Sequence, residues 1–403
     1  MSQNIEHSTS RADNEGGPSP VALTTRNADL GDMVELLRTQ QAAKSDHVVA
    51  ASALQARGGR VVVRGAGPVE LSMDGVTSGD LSLAPTRTAD NGIADKLGIP
   101  TTYLRRTRDQ NVELYDANVN GWLTHDQNQN RRFLVRGLTA GEGGQGVMRA
   151  LLSDRYRPIE NLDVLMTALE GVHAAGHPVD IVSADLSESR MYVKIRSTAV
   201  SAMAPALLAG YTSPFSGARG ADNPTVFAGF VLTNSETGQG KFRLIPQLTV
   251  QICNNGMTLT RHAIDEVHVG GRLAAGQINW SSDTQAASLE LVTKMTRDAI
   301  GSFLDERWVA ERIAEIEADA GIEVTRPQQT IEHVSKKLRF STEAQNSILS
   351  HFIDGGLRTS GGVLHAVTAA AQGIADVDEA YEVEARGIEA MRLSAAFTTG
   401  RVA

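Results

Sequence analysis

Cysteine is nearly missing from this chain of 403 residues, where Cys253 stands alone. One thiol excludes an intramolecular disulfide and any zinc site built on cysteines. Aromatic residues are scarce too, at 4%, so a core must rest on Val, Leu, Ile and Ala. No apolar run approaches the roughly 20 residues that cross a bilayer. The opening MSQNIEHSTSRADNEGG also lacks the apolar stretch of a secretory leader. The expectation is a soluble, cytoplasmic protein with no membrane partner. Positive charge is not in excess either: the net charge of −9 rules out a uniformly basic nucleic-acid coat.

What is present is a hydrophobic content of 41%, enough for a sizeable core and for one large domain or two to three smaller ones. Charge is unevenly spread. Residues 101–272 carry 17 basic and 16 acidic side chains, whereas residues 273–403 carry 12 and 19. The acidity therefore gathers in the last third, and a nearly neutral, arginine-rich middle is left to hold any basic groove.

Residues 1–45 are polar and small apart from Met33-Val34-Glu35-Leu36-Leu37, and read as a disordered or loosely attached tail. Val-rich strands around Arg60 follow, then helical periodicity through Ile93 and Leu97. Asn118 to Trp122 and His125 to Asn130 read as an amide-rich loop, and Arg131 to Arg136 as a short strand. Residues 147–153 read only as a brief element. Asn161 is a plausible N-cap for a helix carrying Leu162, Leu165, Met166 and Leu169 on one face. Val179 to Asp185 and Arg190 to Ser197 form a hairpin, with Met191, Val193 and Ile195 inward and Tyr192, Lys194 and Arg196 outward.

A long strand from Lys241 to Cys253 comes next, entered through a turn at Asn234, Ser235, Gly238 and Gly240. Phe242, Leu244, Leu248, Val250 and Ile252 share one face. Lys241, Arg243, Ile245, Gln247, Thr249 and Gln251 share the other, so the strand is expected to be half wet. From Ser281 onward the pattern is helical, interrupted at Pro327, Gly355-Gly356 and Gly373.

The fold expected is α+β: an antiparallel sheet around residues 179–253 with helices from 90–175 packed on it, in a core domain of 46–280, followed by a helical C-terminal region over 281–403. A sheet with one basic face and helices behind it is also how single-strand annealing recombinases are arranged, an analogy of fold alone.

Several constellations invite chemical readings. The loop Gly141-Glu142-Gly143-Gly144-Gln145-Gly146 could bring backbone N–H groups to a phosphate, but it lacks the Gly-Lys-Ser/Thr ending of a P-loop. His173 and His177 have the spacing of metal ligands without a companion Glu, so no metal is expected. Cys253 has no partner His and reads as a packed thiol. An enzyme would have to draw on the glycine loop, Asp154, Glu160 and Asn254-Asn255, among which there is no triad or carboxylate pair of recognisable spacing. No cofactor is expected.

The arginines of the middle are interleaved with aromatics, a mixture that suits an unpaired strand: guanidinium groups bind phosphate and rings stack on bases. The expected interface comprises Arg105, Arg106, Arg131, Arg132, Arg155 and Arg157 on phosphates, Lys194, Arg196, Lys241 and Arg243 along the sheet, and Tyr156 and Tyr192 on bases. The alternative for these arginines is ordinary pairing with Asp109, Asp116, Asp126, Asp154 and Glu160. The C-terminal helices could restrain binding or recruit a host or phage protein, or another copy of the chain.

Four segments, LGIPTTYLRR with NVNGWL, RALLSDRYRPIENLDVL, TNSETGQGKFRLIPQLTVQICNNGM and GGVLHAVTAAAQG followed by an acidic stretch, resemble the phage- and plasmid-associated family catalogued as domain of unknown function 932. The likeness covers about residues 60–395. It implies a gene carried by a phage, plasmid or other mobile element, whose neighbours often serve recombination or replication. It supplies no catalytic residues. The reading at this level is a non-enzymatic single-strand binder or annealer of a mobile element, set against an enzyme acting on a small or nucleotide substrate and against a structural or partner-binding protein.

Overall fold

The structure is a computed structural model and describes residues 21–400 apart from 74, 129, 140–144, 157, 252–255 and 267–281. It divides into two compact units, one holding Ala42–Asp154 and the other Leu23–Gln41 with Arg155–Ala403. The units do not follow the division near residue 280 expected from composition.

Strand β1 (Thr25–Ala28) and helix α1 (Leu30–Ala42) come first and group with the second unit. Met33 and Leu37, four apart on α1, enter that unit's core. Residues 25–42 are therefore ordered elements and not a loose tail. Residues 1–20 lie outside the described residues.

The first unit runs through β2 (Lys44–Ala50), β3 (Leu54–Arg57), β4 (Arg60–Val63), β5 (Val69–Ser72), β6 (Gly75–Ser78), β7 (Leu81–Pro85), α2 (Arg87–Leu97), α3 (Thr101–Gln110), α4 (Val112–Thr124), β8 (Arg132–Thr139) and β9 (Gln145–Ser153). Six strands make one sheet in the order β2-β8-β9-β7-β4-β3. Only the β7–β9 pair is parallel, and β5 and β6 form a separate ribbon.

Helix α2 starts where Thr86 Oγ1 accepts the N–H of Ala89 and ends at Gly98 in the left-handed region. At Gly92 a Cβ would stand 2.6 Å from the Leu151 carbonyl oxygen, so glycine is what lets α2 lie this close to β9. Helix α4 opens on Asn111, whose side chain accepts the N–H of Leu114. Tyr115, Val119 and Leu123 recur every four residues on its buried face, so Asn118 to Trp122 is mid-helix where a loop was expected. The side chains of α2, α3 and α4 share a core with Val61, Leu83, Phe133 and Met148 of their own sheet. The expectation that helices from 90–175 pack on the 179–253 sheet is thus corrected for these three: short connections let neighbouring elements bury one another first.

The second unit continues with α5 (Asn161–Ala175), β10 (Val179–Leu186), β11 (Met191–Met203), α6 (Pro205–Leu208), β12 (Thr225–Asn234), β13 (Phe242–Val250), β14 (Gly256–Thr258) and β15 (Ile264–Glu266). Helices α7 (Ser282–Phe303), α8 (Glu306–Ala320), α9 (Pro327–Leu338), α10 (Thr342–Asp354), α11 (Ser360–Gln372), α12 (Val377–Ala385) and α13 (Gly387–Thr399) complete it. Its sheet is antiparallel, in the order β1-β10-β11-β12-β13-β14 with β15 also on β13. The α+β fold with a helical C-terminal region is the one the periodicities predict.

Register sorts this sheet into two faces. Val193, Leu232 and Leu244 are neighbours across β11, β12 and β13 and join Met33, Val164, Leu165, Val292 and Ile300 in one core. Tyr192, Thr233 and Arg243 are neighbours on the opposite face. A further core of Val324, Ile331, Val334, Ile348, Phe352, Val363 and Val367 holds the C-terminal helices together.

Candidate nucleic-acid interface

The arginines expected to bind phosphate fall into different environments. In the first unit, Asp90 is buried on α2, and Arg108 holds it with Nη1 and Nη2 each 2.9 Å from a carboxylate oxygen. Arg105 lies beside the same carboxylate, with Nε 3.9 Å from Oδ2, and donates to the Arg87 carbonyl and the Asn91 Oδ1. Arg105 is thus half-buried and engaged within the helices around Asp90, where a buried carboxylate needs compensating charge.

Arg106, Arg131 and Arg132 are exposed. Arg106 donates along its own helix to Gln110 Oε1 at 3.2 Å. Arg132 donates to the Val48 carbonyl. Arg131 is the most firmly placed, giving one N–H to the Lys96 carbonyl at 2.8 Å and one to Asn128 Oδ1 at 2.7 Å. Its guanidinium also lies 4.9 Å from the Phe133 ring centre.

Asn128, which is itself buried, is the residue that organises this corner. Its Nδ2 donates to the Trp122 carbonyl at 2.8 Å while its Oδ1 receives Arg131. One amide thus fixes the last turn of α4 to the start of β8. Trp122 is 38% exposed, and its ring sits 5.2 Å from the His125 ring. One turn back along α4, Asn118 Nδ2 donates to the Leu114 carbonyl and contacts the Tyr103 hydroxyl at 3.5 Å. Tyr103 is 42% exposed. The result is a strip of accessible groups, Tyr103, Asn118, Trp122, His125 and Arg131, that combines rings and an amide with a cation at one end. Asn118, His125 and Asn128 carry no mark in the sequence beyond an abundance of amides.

The sheet face of the second unit has a different fate. Tyr192, Lys194, Arg243 and Gln247 lie on one side of the sheet as alternation predicts, but that side is not open to water. Helix α12 covers it. The Tyr192 hydroxyl donates to Asp378 Oδ1 at 2.7 Å, and Ser187 and Ser189 donate to Asp378 Oδ2 at 2.9 and 2.6 Å. Lys194 Nζ pairs with Glu384 Oε2 at 2.7 Å, Gln247 Nε2 donates to Glu384 Oε1 at 2.9 Å, and Arg190 lies 3.7 Å from Glu382. The Tyr381 ring rests on the Tyr192 ring with centres 4.4 Å apart.

Burial and the Asp378 carboxylate push the Tyr192 phenol well above its ordinary range, and burial with Glu384 does the same for Tyr381. At Gly256 a Cβ would fall 2.6 Å from Glu384 Oε1 and closer still to the Gln247 amide, so glycine leaves the room in which those two side chains meet. The half-wet strand is therefore corrected: Ile245, Gln247 and Thr249 of β13 are buried as fully as Leu244 and Leu248. Tyr192 is 1% exposed, with its ring packed against Tyr381.

The remaining expected residues are scattered. Arg196 reaches Asp180 at 3.4 Å and lies over the Phe227 ring. Tyr156 donates to the Ser235 carbonyl at 3.4 Å, which fastens the β12–β13 turn. Arg155 is exposed and Lys241 and Arg243 are half-buried, each with an interaction inside the molecule. Arg157, the glycine-loop residues 141–144, Cys253 and Asn254-Asn255 lie outside the described residues. Among the described residues no group of three or more His, Cys, Asp or Glu could hold a metal, and no helix is long and apolar enough to cross a membrane.

Comparison with protein-family models, with curated proteins and with solved structures returns no match to this chain.

Proposed function

We propose that the chain is a non-enzymatic accessory protein of a mobile element that holds single-stranded nucleic acid, binding or annealing it, through the strip on its first unit. The observation that carries this reading is the Asn128 side chain. It ties the exposed Trp122 segment to the exposed Arg131 guanidinium, so a ring for stacking and a cation for phosphate are presented from one fixed corner. Stacking on rings is tolerant of sequence because every base has a π-face, and guanidinium contacts follow the backbone. A duplex would offer neither its base faces nor the flexibility to lie along a helix surface. The place of this chain in the domain of unknown function 932 lineage is part of the same proposal and rests on the four sequence segments alone.

The test is fluorescence polarisation of the full chain with labelled single-stranded and duplex oligonucleotides over a range of salt. The expected outcome is preference for the single strand, with affinity falling as salt rises. Arg131→Glu with Arg132→Glu should weaken binding and flatten the salt dependence. Salt-independent binding, or none by the parent chain, would remove the proposal.

A further inference from the structure

Helix α12 is unlike the helices around it in how it is held. Of its nine residues only Val383 and Glu384 are buried, so a single apolar side chain anchors it fully. Against the sheet it sets the half-buried Tyr381 ring and a polar array: Asp378 in a cradle of three hydroxyl groups, Glu382 near Arg190, and Glu384 between Lys194 and Gln247. Ion pairs at a partly covered surface weaken as salt or competing anions rise, whereas apolar packing does not.

The chemistry that α12 presents is also specific. It lays one ring, Tyr381, on the ring of Tyr192, and places carboxylates on hydroxyl, ammonium and guanidinium donors to either side. A ring set against a tyrosine with centres 4.4 Å apart, flanked by anions on hydroxyl and cationic donors, has the layout of a nucleotide in a single-strand site.

We infer that the polar face of the second unit's sheet is a further single-strand binding site, and that α12 occupies it as an internal mimic, with Tyr381 in the place of a base and Asp378, Glu382 and Glu384 in the place of phosphates. The inference rests on the proposed single-strand function and adds its regulation: a strand enters this face only as α12 leaves. The α11–α12 connection is held by Arg26, which donates to the carbonyls of Gln372 and Ile374. Release of α12 would therefore act between Ile374 and Gly387 and leave that connection in place.

The experiment compares the full chain with a variant whose α12 carboxylates are neutralised, Asp378→Asn, Glu382→Gln and Glu384→Gln, using labelled oligothymidylate. If the closed state holds nine-tenths of the population, loosening it raises apparent affinity by about tenfold. Adding Lys194→Ala should take that gain away. A folded variant that binds no more tightly than the parent overturns the inference, and leaves the first-unit reading standing if the parent still depends on Arg131 and Arg132. A variant that binds when the parent does not supports the inference and removes the first-unit strip as a sufficient site. Binding by neither overturns both.

Should the variant not fold, hydrogen exchange on the parent gives the answer. Saturating oligothymidylate should lower protection of the α12 amides and leave α11 unchanged. Unaltered α12 protection overturns the inference.

Discussion

The carboxylate of Glu236 accepts the backbone N–H of Asn161 at 2.5 Å. Glu236 lies just past the end of β12, and Asn161 is the first residue of α5. The sequence marks Asn161 as the cap of this helix, but its side chain faces the other way and accepts from Asn234 Nδ2 at 2.8 Å. The helix has no side-chain cap of its own. An anion from the β12–β13 turn supplies it, satisfying an orphan N–H and meeting the positive end of the helix dipole.

Glu236→Ala should therefore destabilise the second unit by about 1–3 kcal/mol, since a buried charge-assisted bond is lost and a buried donor is left unmet. Urea unfolding followed by circular dichroism would measure it, and Glu236→Gln should recover part of the loss. A change within the ordinary surface range of about 0.5 kcal/mol would show that the cap is not stabilising.

Asp90 gives a second stability prediction. Its carboxylate is wholly buried against Arg108, so Asp90→Ala leaves that guanidinium with the Pro85 carbonyl but without its charge partner. The expected cost is about 3 kcal/mol or more. Asp90→Asn, which keeps one acceptor, should cost less. Equal costs for both variants would assign the effect to packing and not to charge.

His365 links stability to pH. It is fully buried, stacked on Tyr211 with ring centres 4.2 Å apart, and its Nε2 meets the Leu207 carbonyl at 3.1 Å. Burial pushes its pKa down to about 4, against an ordinary value of 6.5. The unfolded chain then binds more protons than the folded one between these values, so stability is complete above 6.5 and falls as pH drops toward 4. The loss between pH 7 and pH 5 should be about 2 kcal/mol. His365→Phe, which keeps a ring on Tyr211, should flatten that slope, and an unchanged slope would assign the pH dependence to other groups.

Trp122 separates binding from folding. Its ring is too exposed for removal to unsettle the unit, and Trp122→Ala should shift the unfolding midpoint little. If a base stacks there, the same change should lower single-strand affinity by about 1–3 kcal/mol, fivefold or more. Wild-type affinity in this variant would exclude Trp122 from the interface.

Much of the secondary structure is legible along the chain because its causes are local. The β10–β11 hairpin follows from alternation at Met191, Val193 and Ile195. Helix α10 follows from Ser341, whose hydroxyl accepts the N–H of Ala344, and the start of α9 from Pro327 in its first turn. Helix α4 was missed because Asn118, Asn120 and Gly121 suggest a turn, while the evidence for a helix is the four-residue spacing of Tyr115, Val119 and Leu123. Strand β9 was missed as a full strand because both of its faces are largely buried, which removes the alternation that marks a half-exposed strand.

What the sequence by itself determined, then, is where many of the helices and strands lie, which side of each strand bears Tyr192, Lys194 and Gln247, and that the acidic charge lies in the last third. Those follow from spacing and backbone preference within a few residues. Only the tertiary structure decided that the polar side of the sheet meets Asp378 and Glu384, 186 and 190 residues away from Tyr192 and Lys194. No local pattern encodes that meeting, because it depends on where two separately formed surfaces come to rest and on the Gly256 gap that lets them close. Alternation tells which residues share a face, and packing alone tells whether water or the chain itself covers it.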